Sequence, residues 1–282
     1  MKELFAILGL GAAGLLLSTA GVAGETPAFQ VAGAGTENLF HPTPRERLRE
    51  MSTDRPDVTE SPFTVDAGHA QLELDLASWI RDHRTSEGSS GQQAWTFGNA
   101  NLKFGFTRQI DFQIATPLYT HVRRGPAGFG DLTFRLKVNL WGNDGGATAF
   151  ALMPFVTMPT AADGLGSDRV EGGLILPFSA ELPHGWDFGT MVELDWLADA
   201  DGDGYHFETV TSWTFGHTIA GPLSGYLEFV SVLSTESAWA ASFDCGLTYA
   251  LNDNVQLDAG VNIGLTRAAE DLNPFVGLSV RF

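Results

Sequence analysis

Pro274-Phe275-Val276-Gly277-Leu278-Ser279-Val280-Arg281-Phe282 ends the chain, and its reading decides the fold. In steps of two, Phe282, Val280, Leu278 and Val276 are apolar, while Arg281, Ser279 and Gly277 between them are polar or small. A period of two is the β-strand period, in which successive side chains leave opposite faces. Working outward, the same alternation recurs about a dozen times along the chain. It is clearest where Leu132, Phe134, Leu136, Val138 and Leu140 alternate with Asp131, Thr133, Arg135, Lys137 and Asn139.

Other segments repeat the pattern. Leu72, Leu74, Leu76 and Ile80 share one face, and Gln71, Glu73, Asp75 and Arg81 the other. Leu102, Phe104 and Phe106 oppose Asn99, Asn101 and Lys103, and Ile110, Phe112, Ile114 and Leu118 oppose Asp111, Gln113, Tyr119 and His121. Trp186, Phe188, Val192, Leu194 and Trp196 oppose Asp187, Glu193 and Asp195, and Tyr205, Phe207, Trp213 and Phe215 oppose His206, Glu208, Ser212 and Thr214. Further on, Glu228, Asp244 and Asp258 fall on polar faces in the same way. Ala147 to Met158 is apolar on both faces, so its phase stays open.

A membrane barrel and a soluble sandwich both alternate, and length separates them. These strands read as about 10–14 residues, against a usual length of about 5–6. A tilted strand crosses a bilayer in about 9–11 residues. Connections also alternate in kind, with longer ones at Asp82–Gly91, Arg123–Gly130, Pro159–Asp168 and Asp199–Gly204 and tight turns between. Outer-membrane barrels show that asymmetry, with the short turns on the periplasmic side. Trp186, Trp196, Trp213, Trp239 and Tyr249 fall near strand ends, as interfacial aromatic girdles do. The expectation is an all-β, transmembrane, antiparallel up-and-down β-barrel of about 12 strands, with a short N-terminal periplasmic segment.

Composition fits this class. With 34 Asp and Glu against 16 Lys and Arg, the net charge is −18, which disfavours nucleic acid as a partner. Mean hydropathy near zero is compatible with a barrel, because only one strand face meets lipid. Residues 1–24 read as a signal peptide: Lys2, an apolar run from Leu4 to Leu17, and small residues at Gly21 to Gly24. Residues 25–62 form an N-terminal periplasmic segment or partial plug, and 63–282 the barrel. Within the segment, Thr43, Pro44 and Glu46 predict a short helix from Pro44 to about Met51. The Pro-punctuated run from Thr53 to Pro62 reads as a flexible leader or as a segment held at the inner mouth, Arg55 and its acids pairing with lumen charges. Cys245, the only cysteine, excludes an intramolecular disulfide and falls on the apolar side of its strand.

Particular motifs then bear a resemblance. Asp54-Arg55-Pro56-Asp57-Val58-Thr59-Glu60-Ser61-Pro62, Gly68-His69, Gly128-Phe129-Gly130-Asp131-Leu132, Leu257-Asp258-Ala259-Gly260 and the terminal strand resemble, in this order, the outer-membrane transporters of the meta-pathway of phenol degradation. The resemblance covers residues 53–282. It implies a Gram-negative outer-membrane barrel passing small hydrophobic or aromatic solutes, with outer-membrane lipid around it. It also implies that Phe282 is read as an assembly signal by the barrel-assembly machinery.

If the polar faces look inward, Glu73, Asp75, Lys103, Asp131, Arg135, Lys137, Glu193, Asp195, Glu208, Glu228, Asp244 and Asp258 line the pore. Such a lumen either braces itself with ion pairs or carries a transverse field that favours cations. Asp199, Asp201, Asp203 and Gly204 have the spacing that opens a calcium loop, but Val210 stands where such a loop needs Glu, so the metal candidate there is weak. No Gly-x-Ser-x-Gly elbow occurs, and no cofactor motif; a passive channel is expected, not an enzyme. The alternatives are a structural or adhesion barrel with a closed lumen and, behind it, a barrel hydrolase.

Overall fold

The alternation is realised as a ring of hydrogen-bonded staves. A computed structural model describes residues 36–82, 92–199 and 204–282. The strands are β1 (Ala70–Asp82), β2 (Gln92–Gly105), β3 (Ile110–Val122), a two-residue β4 (Ala127–Gly128), β5 (Leu132–Trp141), β6 (Thr148–Met158) and β7 (Glu171–Leu182). They continue as β8 (Trp186–Ala198), β9 (Tyr205–Ala220), β10 (Leu223–Ser234), β11 (Ala240–Asn252), β12 (Val255–Gly264) and β13 (Leu272–Arg281). All but β4 are staves, which makes twelve; each pairs antiparallel with the next, and β1 pairs with β13 to close the ring. Closure removes both sheet edges, the condition for β-structure in lipid.

The staves run mostly 10 to 16 residues, long enough to cross a bilayer. Their outward faces carry half-exposed large apolar side chains, among them Leu76, Leu136, Leu140, Val192, Leu227, Leu247 and Leu257. Rings gather into two belts. Trp79 stacks on Trp95, and Trp196 meets Phe207 edge-on, near the end that carries the longer connections. Trp141 packs on Phe150, and Trp186 on His217, near the tight-turn end. Cys245 lies directly opposite Leu227, on the outer face.

Two local departures from strict alternation accompany irregularities in the ladder. The β1–β13 register shifts between Asp75 and Ala77, and Gly98 on β2 sits at φ +71°. Glycine takes that conformation without the penalty of a Cβ, so the strand can bulge there. Beyond the shift the faces exchange: Ser78 is buried, Trp79 stacks outside, and Ile80 lines the lumen instead of joining Leu72, Leu74 and Leu76. Tyr119 sits directly opposite the exposed Phe97, so it belongs to the outer face and not beside Asp111 and Gln113.

β6, whose phase the pattern leaves open, points Ala149, Ala151 and Met153 inward and Val156 and Met158 outward. The predicted helix shrinks to a 3₁₀ turn at Arg45–Arg47 without a side-chain cap. The chain is extended at Leu48, and Arg49 is drawn off to Asp66, ion-paired at 2.8 Å. β1 begins at Ala70, so residues 63–69 precede the first stave, with Val65 and Ala67 among them buried. The expected signal peptide lies outside the described residues, as do loop residues 83–91, Asp201 and Asp203.

Candidate functional site: a charged segment across the lumen

The inner wall is charged because the strands place their polar set there, and a segment of opposite charges is threaded through it. Asp54 is its centre. Its carboxylate pairs with Lys103 of β2 and, at 2.6 Å, with Lys137 of β5. Its own N–H donates to Glu73 of β1 at 3.0 Å, and Glu73 pairs in turn with Lys103. The Ser61 N–H returns to Asp54 at 3.0 Å, folding the segment into a loop across the bore.

The next residues reach further staves, and Val58 and Thr59 the far side of the ring. Arg55 forks between Asp75 of β1 and Asp258 of β12, the latter at 2.6 Å, with its guanidinium over the ring of Phe275. The Val58 and Thr59 N–H groups each donate to Glu228 of β10 at 2.8 Å. Thr59 Oγ1 meets Ser212 Oγ of β9 at 2.6 Å, and Glu60 pairs with Arg135 at 2.6 Å. Farther along, the Val65 N–H donates to Asp111 at 3.0 Å. The segment is therefore tied to staves on both sides of the ring.

Lys103, Lys137, Glu73 and Glu228 are each 2% exposed or less. Buried charges of this kind persist only when paired, and breaking such a pair costs about 3–5 kcal/mol. Burial pushes the Asp54 carboxyl up, but Lys103 and Lys137 outweigh it and hold the group well below the carboxylate range. Asp57 is the counterexample. Burial and then the neighbouring Glu228 push its carboxyl well up, against a hydrogen bond from Thr214.

The other expected lumen residues distribute as follows. Asp244 is buried directly opposite Glu228 and accepts from Ser242 at 3.1 Å. Asp195 is buried opposite Glu208, two residues beyond Glu193 on β8. Asp131 differs. It precedes β5 in the loop, where its carboxylate caps the Thr160 and Ala161 N–H groups at 2.8 Å each, so it shapes a connection and does not line the bore. Asp199 pairs with His206 at 3.1 Å. Phe282 is exposed at the end of β13, its N–H bonded to Ala70 O at 2.8 Å.

One feature of the lumen is apolar. Met153, Ile175 and Met191 from β6, β7 and β8 pack together with Phe155 and Val210. They give the sector of the wall that begins next to β5 a greasy surface. The Glu60 N–H lies 3.4 Å from the Met191 sulfur, so the segment touches this sector too. Period-two reading misses the patch, since apolar residues on an inner face cancel the alternation that reveals a strand. Cavities flank the segment. One of about 410 Å³ lies toward the long-loop end, bounded by Arg55, Glu60, Ser78, Thr96 and Asn273. One of about 560 Å³ lies at the turn end, bounded by Arg49, Asn252, Asn254 and Arg281.

Comparison with known proteins agrees with this architecture. The family described as "Putative MetA-pathway of phenol degradation" matches residues 53–282. An outer membrane channel from Pseudomonas putida F1 superposes with TM-score 0.60 at 14% identity, over 82% of this chain and all (100%) of that one. The NanC porin superposes with TM-score 0.54 at 10% identity, over 74% of this chain and 98% of that one. At these identities the two structures share the fold. No curated protein matches the sequence. A closed barrel of this fold with an apolar exterior is a protein of the Gram-negative outer membrane.

Proposed function

We propose, from the premise that the chain belongs to the phenol-degradation family matched over residues 53–282, that the barrel is a passive outer-membrane channel for small hydrophobic or aromatic solutes. The observation that carries this reading is the divided lumen: a charged segment crosses it, an apolar sector of Met153, Ile175 and Met191 faces it, and cavities lie on either side. A rigid, fully packed barrel would need no such spaces. An aromatic ring finds apolar contact along that sector, while the ion-paired sector holds the segment in place.

Glu73, Asp75, Lys103, Arg135, Lys137, Glu228 and Asp258 anchor the segment in this reading. Glu193, Asp195, Glu208 and Asp244 set an acidic field on the remaining wall that favours cations over anions. Residues 1–24 act as the export signal, 25–62 as the segment leading into the plug, and Phe282 as the signal to the barrel-assembly machinery. No catalytic step is assigned to any residue. A second reading, a structural barrel with a sealed lumen, draws on the same ion pairs, since they brace the ring as well as they hold a plug.

Swelling of liposomes containing the purified barrel separates the two. Influx of a small aromatic solute faster than of a sugar of equal size supports the channel, whereas a sealed membrane supports the structural reading. Ester or peptide hydrolysis would indicate an enzyme instead.

A further inference from the structure

At the long-loop rim, three side chains from different parts of the chain converge on one point. Asp199 follows β8, His206 is the second residue of β9, and Glu236 lies in the connection after β10. Their ligand atoms all lie within 4.8 Å of one another. His206 Nδ1 is 3.1 Å from Asp199 Oδ1 and 3.5 Å from Glu236 Oε2. His206 alternates with Tyr205 and Phe207, whose rings are exposed on the outer face, so its imidazole points to the lumen side of the rim.

The positions are fixed by backbone bonds. The Asp199 N–H donates to Gly204 O at 3.2 Å, closing the turn. A Cβ on Gly204 would stand 2.2 Å from Asp199 Oδ2, so a side chain there would displace the carboxylate from this position. The Thr235 N–H donates to Phe207 O at 3.0 Å, which sets Glu236 beside the start of β9.

One nitrogen cannot serve both carboxylates well. A neutral Nδ1 carries at most one proton, and the contact to Glu236 is at the limit of a hydrogen bond. A divalent ion resolves the arrangement. Metal bonds of about 2.0–2.2 Å to nitrogen and oxygen put neighbouring ligands about 2.9–3.5 Å apart, from octahedral to tetrahedral angles. Both observed separations fall in that range. Calcium prefers six to eight oxygens, whereas an imidazole with two carboxylates suits a first-row ion such as Zn²⁺.

We propose that Asp199, His206 and Glu236 form a zinc-class divalent metal site on the outer rim of the barrel, clasping the β8–β9 and β10–β11 connections. It uses one residue of the acidic loop, Asp199, with two ligands that the loop spacing does not indicate.

The test is calorimetric titration of the full-length, detergent-purified barrel with Zn²⁺ after chelator treatment, alongside His206→Ala, Asp199→Asn and Glu236→Gln. Heat-modifiable gel migration verifies that each variant is folded. His121→Ala and His217→Ala serve as controls for adventitious binding to exposed imidazoles. The expected result is one saturable site, weakened about tenfold or more in each ligand variant, since even supporting residues around a metal cost 10–100-fold. The histidine controls should bind as the unaltered chain does. Absence of saturable binding, or equal binding by folded His206→Ala, would overturn the proposal. So would Ca²⁺ binding as tight as Zn²⁺ and insensitive to His206→Ala, which would mean a carboxylate-only site.

Discussion

Asp54 carries two lysines, and no other described residue is placed to replace it. Asp54→Ala would leave Lys137, at 0% side-chain exposure, without its ion-pair partner, and Lys103, at 2%, with Glu73 alone. A loss of about 3–5 kcal/mol in segment docking is expected. Single-channel recording should then show a larger mean conductance, and limited proteolysis should cut between residues 53 and 62. Asp144→Ala is the matched control. Its partners are Arg108, one-third exposed on that side chain, and at 3.8 Å Arg49, itself held by Asp66, so the loss is about 0–1 kcal/mol and conductance should not change. Asp57 gives the pH dependence. Its carboxyl is raised in the docked state, by burial and then by Glu228, so it docks protonated. Docking free energy is then fullest below the ordinary carboxylate pKa of about 4 and falls as pH rises toward the docked value. Asp54, whose carboxyl is lowered, keeps its contribution throughout that window and loses it only in stronger acid. Conductance should therefore increase as pH rises from about 4. Asp57→Asn should flatten that increase, and an unchanged profile in the variant would remove Asp57 from the account.

Two kinds of element share the work, and they are separable. The staves form a complete ladder from Ala70 onward without the segment. Deleting residues 53–62 should leave a folded, heat-modifiable barrel with a conductance several-fold higher. Loss of the folded form would mean that the segment is the barrel's core and not its plug. Legibility in the sequence divides along the same line. Strands with lipid on one side and ions on the other announce themselves by alternation, as at Leu132 to Leu140. Alternation fails where a bulge exchanges faces, as between Asp75 and Ala77, and where both faces are apolar, as on β6. The segment has no period at all, because its geometry comes from partners far along the chain: Arg55 meets Asp258, and Thr59 meets Ser212. Its charges hint at pairing with the lumen; which stave each one meets depends on closure of the ring. The Asp199, His206 and Glu236 cluster is hidden for the same reason, since β9 and β10 intervene between its members.

At the scale of the molecule, the barrel turns one chain with a net charge of −18 inside out: apolar groups face lipid and most of its buried charge crowds the axis. Within that lumen, cations from β2 and β5 meet the segment's acids, Arg55 meets the acids of β1 and β12, and Val58 and Thr59 reach Glu228 of β10 across the ring. The segment is thereby held as a bridge across a bore whose wall carries the apolar Met153, Ile175 and Met191 on β6, β7 and β8. The claim at the centre of the account is that passage requires this bridge to move. Thr59 and Ser212 offer the means to lock it, because their hydroxyls are in contact at 2.6 Å and two cysteines there would bring their sulfurs together. Cys245 faces outward and does not compete with a new pair inside. The direct measurement is swelling of liposomes holding the Thr59→Cys, Ser212→Cys double variant, fed a small aromatic solute before and after reduction. Entry that is blocked when oxidised and restored on reduction is the predicted result. Equal entry in both states would show that solutes pass without moving the segment, and would contradict the account.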